Sequence, residues 1–543
     1  MKNINLFLSI LLVCSFILSS CSKNKSSNTR DKVLVYCSEA SPQSFNPQLV
    51  TSGPTFDAAR QIYNRLIEFK TGSSHITNSL ATHWEISDDG IEYIFYLRKK
   101  VSFHTTEYFQ PTRFFNADDV IFSFLRQWKE NHPYHNVSSL GFRYFQSMAL
   151  NERIKDIVKL GEHQVKFILN RPDSTFLATL AMDFSSILSA EYAEQLMNKN
   201  IPEAIDNKPI GTGPFQLVRY QADTFIRYKA HPQYWKGKEL INELVFAITP
   251  DPSLRFARLI AGECDLMAKP LPIHVRASKE YPKIISMNEP GSNVAYLAMN
   301  TKKKPFDNPD VRLALNYAIN KNSLVKIVYK NSAEAAKNPI PPNMWSYNTN
   351  TPKIEFSLKK AKQLIHSAGY PNGFTMDLWA MPVQRSYNPN AIRMAELIKQ
   401  DLEEIGVRVK IVSFEFGTFL EKVKNGEHQT ALLGWIGDNG DPDNFFSPLL
   451  SCAAMSSGNN ASFWCNEKFD ELINKAAAIS DIYSRTQLYL KAQEVFTQET
   501  PWVPIAHSRQ FILANQRVKN FHLAPTDGMY FSGVTLNPID EEN

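Results

Sequence analysis

Residues 391–412 read AIRMAELIKQDLEEIGVRVKIV. Ile392, Ala395, Ile398, Leu402 and Ile405 recur at steps of three and four and line one stripe of a helix. Gly406 stops that helix, and Val407, Val409 and Ile411 then alternate with Arg408 and Lys410 as a strand. Upstream, Ser357 opens a second helix in which Leu358, Ala361, Leu364, Ile365 and Ala368 are apolar, and Gly369 and Pro371 end it. Further upstream, Asn308 and Pro309 form the cap and first turn of a third, with Val311, Leu315, Ala318 and Ile319 inward. Helices that run into strands predict an α/β region between about 290 and 507. The first half is richer in short strands: IEYIFYLR (91–98) follows the turn Asp89-Gly90 and puts Tyr93, Phe95 and Leu97 on one face. These apolar stripes are read as core and carry no function.

The beginning of the chain is a different kind of segment. Met1 and Lys2 precede an apolar run, Leu6 to Leu18, that is too short to cross a bilayer as a stable helix, so residues 1–20 are read as a signal peptide. Leu18-Ser19-Ser20-Cys21 resembles a bacterial lipobox, which makes Cys21 the expected lipid attachment point. Residues 21–30 then form a polar tether. Membrane contact is expected through that anchor alone. A formal net charge of +5 over 543 residues is too small to suggest nucleic acid as a partner, and the length is a soft prior for about three domains or subdomains.

Beyond Cys14 in the leader and Cys21, the cysteines are Cys37, Cys264, Cys452 and Cys465. An even number in an exported chain suggests two disulfides, for which three pairings exist. The favoured one joins Cys452 with Cys465 across a short loop, and Cys37 with Cys264. Zinc is disfavoured because no CxxC pair occurs, and no metal or cofactor is expected.

A resemblance enters at residues 80–126. Leu80-Ala81, Trp84-Glu85, Ser87, Asp89-Gly90, Tyr93, Phe95, Leu97-Arg98, Val101, Phe103-His104, Asn116-Ala117-Asp118-Asp119-Val120, Phe122-Ser123 and Arg126 resemble the hallmark of the peptide- and nickel-binding family of ABC solute receptors, and Gly211-Thr212-Gly213-Pro214-Phe215 is similar to a second block of that family. WAMPVQRSYNP (379–389) and GWIGDNGDPDNFF (434–446) resemble its dipeptide-binding branch, with haem- and glutathione-binding lipoproteins nearby. The resemblance runs from about Val33 to the C-terminus and suggests the same cysteine pairing. It implies a two-lobed α/β periplasmic-binding-protein fold of type II, cluster C, with an extra subdomain in the first lobe. Lobe I would comprise 31–290 plus 508–543, and lobe II 291–507. It also implies an ABC permease with its ATPase subunits as partner, and a monomer.

Chemistry constrains the ligand site further. A zwitterionic dipeptide enclosed between lobes loses the water around an ammonium and a carboxylate, which costs several kcal/mol per ion unless each meets an opposite charge. Asp438, in the glycine-rich loop with Gly437 and Gly440, supplies an acid; Arg385 supplies a planar fork suited to a carboxylate. The resemblance implies that Asp438 holds the peptide amine and Arg385 the peptide carboxylate. Because an extended two-residue chain spans only about 7 Å, two fixed charges also select length. Trp435 is expected to stack on the ligand or fill core, and Thr51 and Gly53 match the first-lobe segment that lines the family's cleft. The plainer readings are an Asx turn for Asp438 and a surface salt bridge for Arg385.

Other features read as structural. His132 and His135 flank Pro133 in a turn, Asp118 and Asp119 cap a helix, and Asp441 and Asp443 shape their loop. Gly211 to Phe215 lacks the later glycine of a dinucleotide fingerprint and the lysine of a phosphate loop. Neither HExxH nor GxSxG occurs, so a peptidase is the remote alternative. A haem or glutathione receptor is the nearer rival.

Overall fold

The structure, a computed structural model, describes residues 32–50, 52–457, 460–526 and 528–538. The expected signal peptide, the tether, Cys21 and Thr51 lie outside the described residues.

The predicted helices form where their caps place them. Pro309–Ala318 starts at Asn308, whose side chain accepts from the Asp310 amide at 2.9 Å and leaves Val311, Leu315 and Ala318 buried. Leu358–Ser367 starts at Ser357 and buries Ala361 and Ile365. Ala391–Glu403 starts at Asn390, whose side chain accepts from the Arg393 amide at 2.9 Å. The chain then enters the strand Arg408–Val412, which pairs in parallel with Thr375–Trp379, so this helix is the crossover of a strand–helix–strand unit. In the first half, Glu92–Leu97 buries Tyr93, Phe95 and Leu97 and lies second in a four-stranded sheet with Ala81–Ile86, Gln164–Leu169 and Ile154–Gly161. Asn116 and Asp119 form a capping box at the helix Ala117–Trp128, and Asp119 also pairs with Arg113 at 2.7 Å, so the adjoining acids at 118–119 serve the helix start.

One strand organises the molecule. Trp502–Asn515 runs for 14 residues through a 12-stranded sheet. Its first half pairs antiparallel with Asn293–Met299 and Ala333–Ala335, and its second half with Ile284–Pro290 and Leu266–Met267. Its side chains divide in the same way. Trp502, Val503, Ile505 and Ala506 belong to one hydrophobic core, built otherwise from residues between Val294 and Phe496, whereas Ile512 and Ala514 belong to another, built from Leu34 to Ile248, Leu266, Ala268 and Val518 to Val534. The result is a two-lobed α/β fold with each lobe on its own core. The chain passes between them twice, along Ile284–Met299 and along this strand.

The cysteines pair as favoured. Cys37 is bonded to Cys264 and Cys452 to Cys465, the latter across a separation of 13 residues. Tyr134 donates its amide to His132 Nδ1 at 3.1 Å, and His135 Nδ1 lies 2.8 Å from the Arg126 carbonyl, as residues of a turn. No group of three or more His, Cys, Asp or Glu side chains among the described residues is arranged to hold a metal ion. Likewise, no described helix is long and apolar enough to cross a membrane.

Candidate functional site

The acidic loop leaves the strand Thr430–Ile436, which pairs with Asn293–Met299 and so stands beside a crossing segment. The Gly437 amide donates to the Ser292 carbonyl at 2.7 Å and ties the loop to that segment. Asn444 Oδ1 accepts both the Asp438 amide at 2.9 Å and the Trp435 indole N–H at 3.1 Å, which fixes the peptide unit and the ring together. The Asx turn of this loop falls on the next residue: Asn439 Oδ1 accepts the Asp441 amide at 2.9 Å, and Asp441 Oδ1 accepts the Asp443 amide at 3.0 Å. Asp441 is further held by Arg485 at 2.8 Å. With the turn made by its neighbours, the Asp438 carboxylate is directed elsewhere.

It faces the opposite lobe. The Tyr144 hydroxyl donates to Asp438 Oδ1 at 2.9 Å. Tyr144 lies between Phe56 and Phe184, at 5.7 and 5.9 Å between ring centres. Behind these rings, Asp183 takes Arg60 at 2.6 Å and Arg65 at 2.9 Å, and Arg60 also reaches Asp57 at 2.6 Å. The two arginines are thus matched by two acids, and no cation of that network is paired with Asp438. Burial pushes the Asp438 carboxyl up to about 6 against the bonds from Tyr144 and Asn444, and the Asp183 charge adds to the rise. A carboxylate this enclosed, served by a neutral phenol, is short of positive charge.

Gly440 lies where the lobes meet. A β-carbon there would come within 2.3 Å of Ser74 Cβ and 2.6 Å of its carbonyl oxygen, so only glycine permits the approach. Asn439 likewise reaches Met182 across the gap, at 3.7 Å from its sulfur.

Arg385 occupies a second loop of the same lobe. Its backbone exchanges two hydrogen bonds with Asn388, at 2.9 and 3.0 Å, closing a tight turn. The Ser508 hydroxyl donates to the Ser386 carbonyl at 2.8 Å, and the Tyr329 hydroxyl to the Tyr387 carbonyl at 2.8 Å, so the turn hangs from the long crossing strand. The guanidinium stacks over the Phe416 ring at 4.1 Å and is partly exposed. No carboxylate among the described residues pairs with it, so the surface salt bridge is not what holds it. Tyr387 packs on Gly434, where a β-carbon would fall 2.2 Å from the ring, so the Arg385 turn leans on the strand that delivers Trp435 and Asp438.

The structure therefore gathers Asp438, Gly437 and Gly440 into one loop, sets Trp435 at the end of the strand that leads into it, and joins the Arg385 turn to that strand through Tyr387. Gly53 is exposed at the start of the helix Gly53–Arg60 and lies near the Lys269 ammonium; the same helix carries Phe56, Asp57 and Arg60 behind Tyr144. Tyr144, Ser292, Asn444 and Phe416 escaped the sequence reading. Tyr144 sits on a helix of only five residues, Arg143–Ser147, too short for any periodicity to mark it.

The model of the bacterial extracellular solute-binding proteins, family 5, matches residues 75–457. The chain is 50% identical to the dipeptide-binding protein of Escherichia coli over 93% of this chain and 95% of that one. It is 44% identical to heme-binding protein A of Haemophilus influenzae over 97% and 98%. Among solved structures, HbpA2 of Haemophilus parasuis superposes with a TM-score of 0.89 at 44% identity, covering 93% of this chain and all of that one (100%). The dipeptide-binding protein of Pseudoalteromonas sp. SM9913 in complex with Met-Leu superposes with a TM-score of 0.80 at 42% identity, over 93% and 100%. With this fold and a match across most of its length, the chain belongs to family 5 of the bacterial extracellular solute-binding proteins.

Proposed function

We propose that this protein captures dipeptides and other very short peptides between its lobes and hands them to an ABC permease driven by its ATPase subunits. The observation that carries the reading is the Asp438 carboxylate, enclosed at the lobe interface and bonded by a neutral tyrosine from the other side. A peptide ammonium supplies the missing positive charge. Arg385, free of any acid among the described residues and held over Phe416, takes the peptide carboxylate. Trp435, fixed by Asn444, flanks the ligand backbone; Gly437 gives room to the Phe445 ring and Gly440 to Ser74 of the opposite lobe, which lets the loop close over the ligand. The relative from Escherichia coli is named a dipeptide-binding protein, and the Pseudoalteromonas structure holds Met-Leu, which supports the same ligand class. Lobe I is assigned to 31–290 and 508–543 and lobe II to 291–507; the mature chain is a monomer held at a membrane surface by a lipid on Cys21.

A second reading, a haem or glutathione receptor, has the 44% identity to heme-binding protein A in its favour. Haem brings propionates but no ammonium, so Asp438 would be left without a counter-charge. Titrating the ligand-stripped protein with Ala-Ala, N-acetyl-Ala-Ala, glutathione and haem separates the cases. Tight binding of Ala-Ala that acetylation abolishes supports the peptide reading; binding indifferent to acetylation, or haem bound in preference, refutes it.

A further inference from the structure

Both charged anchors of the ligand site are tied to the crossing segments, and the two ties meet. The Gly437 amide, next to Asp438, donates to the Ser292 carbonyl at 2.7 Å. The Ser508 hydroxyl donates to the Ser386 carbonyl, next to Arg385, at 2.8 Å. Asn293 joins these two points. Its Oδ1 accepts the Ser508 amide at 2.9 Å and its Nδ2 donates to the Ser508 carbonyl at 3.0 Å, so both ends of one side chain grip a single residue of the opposite segment. Gly291 leaves room for the grip: a β-carbon there would fall 2.2 Å from Asn293 Nδ2 and 2.8 Å from the Ser508 carbonyl oxygen. Asn293 and Ser508 are buried, and they lie where the segments pass from one core to the other. Val294 and Ala506 pack in the core of the second lobe, whereas Met287 packs against that of the first and Ile512 within it.

The Ser508 hydroxyl has one proton and two acceptors in reach, the Ser386 carbonyl at 2.8 Å and Asn293 Oδ1 at 3.1 Å. Asn293 Oδ1 already receives the Ser508 amide, so the proton goes to the nearer carbonyl. A second hydroxyl serves the next residue of the turn. Tyr329, just past the helix Lys321–Ile327, donates to the Tyr387 carbonyl at 2.8 Å. Two consecutive carbonyls are thus held by hydroxyls from separate parts of the fold.

The paired backbone bonds between Arg385 and Asn388 give the turn its shape but not its place. Its place comes from the two hydroxyls and from the Tyr387 ring on Gly434. Place matters because a guanidinium makes two parallel bonds to a carboxylate only when its plane and distance are right, and a looseness of about 1 Å forfeits them. We propose that Ser508, clasped by Asn293, and Tyr329 are positioning residues that hold the Arg385 guanidinium at a fixed place relative to the Asp438 carboxylate. This rests on Arg385 being the anchor of the peptide carboxylate.

Calorimetric titration of the ligand-stripped mature chain with Ala-Ala and with Ala-Ala amide provides the test, in the parent, Ser508→Ala, Tyr329→Phe, Arg385→Ala and the double variant Ser508→Ala with Arg385→Ala. The preference for the free carboxylate over the amide is expected to fall at least threefold in Ser508→Ala and in Tyr329→Phe, with the affinity for the amide nearly unchanged. In the Arg385→Ala background, Ser508→Ala is expected to cost Ala-Ala nothing more, because the group it positions is gone. Should one hydroxyl variant fail to fold, the other carries the comparison. The proposal is overturned if the folded variants keep the parental preference, if they lose both ligands equally, or if Ser508→Ala weakens Ala-Ala as much without Arg385 as with it. A normal preference in Ser508→Ala and Tyr329→Phe beside a lost one in Arg385→Ala would remove the positioning role alone. An equal loss of both ligands in Arg385→Ala would remove the anchor itself, and the positioning role with it.

Discussion

At the scale of single residues, ligand binding turns on why Asp438 resists ionisation. Its carboxyl is raised from 3.8 to about 6, chiefly by burial, so below that value a proton occupies the place intended for a cation. A ligand ammonium favours the ionised form. Affinity for Ala-Ala is therefore expected to rise about tenfold between pH 5 and pH 7 and to level off above, since only about a tenth of such a group is ionised one pH unit below its midpoint. Calorimetric titration across that range checks the slope, and Asp438→Asn should flatten it while weakening binding by about 2 kcal/mol or more. The sign for stability is the reverse. A carboxyl whose folded value is raised contributes stability that is present at low pH and lost as pH climbs through the folded value. Asp438 and Asp443, each raised to about 6, and Asp57, raised to about 7, make the ligand-free closed form progressively less stable from about pH 4 to pH 7. Arg385 carries a different expectation. Arg385→Ala should weaken free Ala-Ala by at least tenfold but leave the affinity for Ala-Ala amide, whose C-terminus is uncharged, nearly unchanged; an equal loss for both would mean that the arginine only supports its turn.

At the scale of elements, the ligand loop works because glycine and asparagine do different jobs in it. Asn439 makes the Asx turn, Asn444 pins the Trp435 indole and the Asp438 amide, and Gly440 admits Ser74 of the other lobe. Gly440→Ala is expected to reduce dipeptide affinity by about tenfold while shifting the ligand-free melting temperature little, because the added methyl meets the opposite lobe and not its own core. Unaltered affinity would show that the lobes do not close that far. Much of this level was legible in the chain. The stripe from Ile392 to Ile405 and the alternation that follows specify a helix and a strand because their apolar residues repeat at the periods of those structures. Gly437-Asp438-Asn439-Gly440 marked a loop, although its composition left open which acid or amide makes the turn. Tyr144 and Ser292 were hidden because their roles come from tertiary approach: one sits on a five-residue helix, and the other holds the loop through a backbone carbonyl. Arg126 belongs in the same category. It matches the family pattern in sequence, but its place over the Phe122, Tyr134 and Phe142 rings, at 5.8, 5.5 and 5.4 Å, follows from packing alone.

At the scale of the whole molecule, two cores share one strand, and the surfaces that meet between them carry an unbalanced acid. Closing without ligand encloses the Asp438 charge, a penalty of about 1–2 kcal/mol once its partial exposure is allowed for. The ligand-free protein at pH 8 should therefore favour the open arrangement, and small-angle scattering should record a smaller radius of gyration on adding Ala-Ala. Ligand-free Asp438→Asn should already be more compact than the ligand-free parent; an identical radius would separate closure from this charge. The network of Arg60 and Arg65 with Asp57 and Asp183 behind Tyr144 is matched within its own lobe, so the imbalance stays at the cleft. The most direct measurement is a crystal structure of the protein grown with Ala-Ala. In it the peptide ammonium is expected about 3 Å from the Asp438 carboxylate, with the peptide carboxylate on the Arg385 guanidinium. A peptide bound elsewhere, or bound with its amine turned away from Asp438, would contradict that placement.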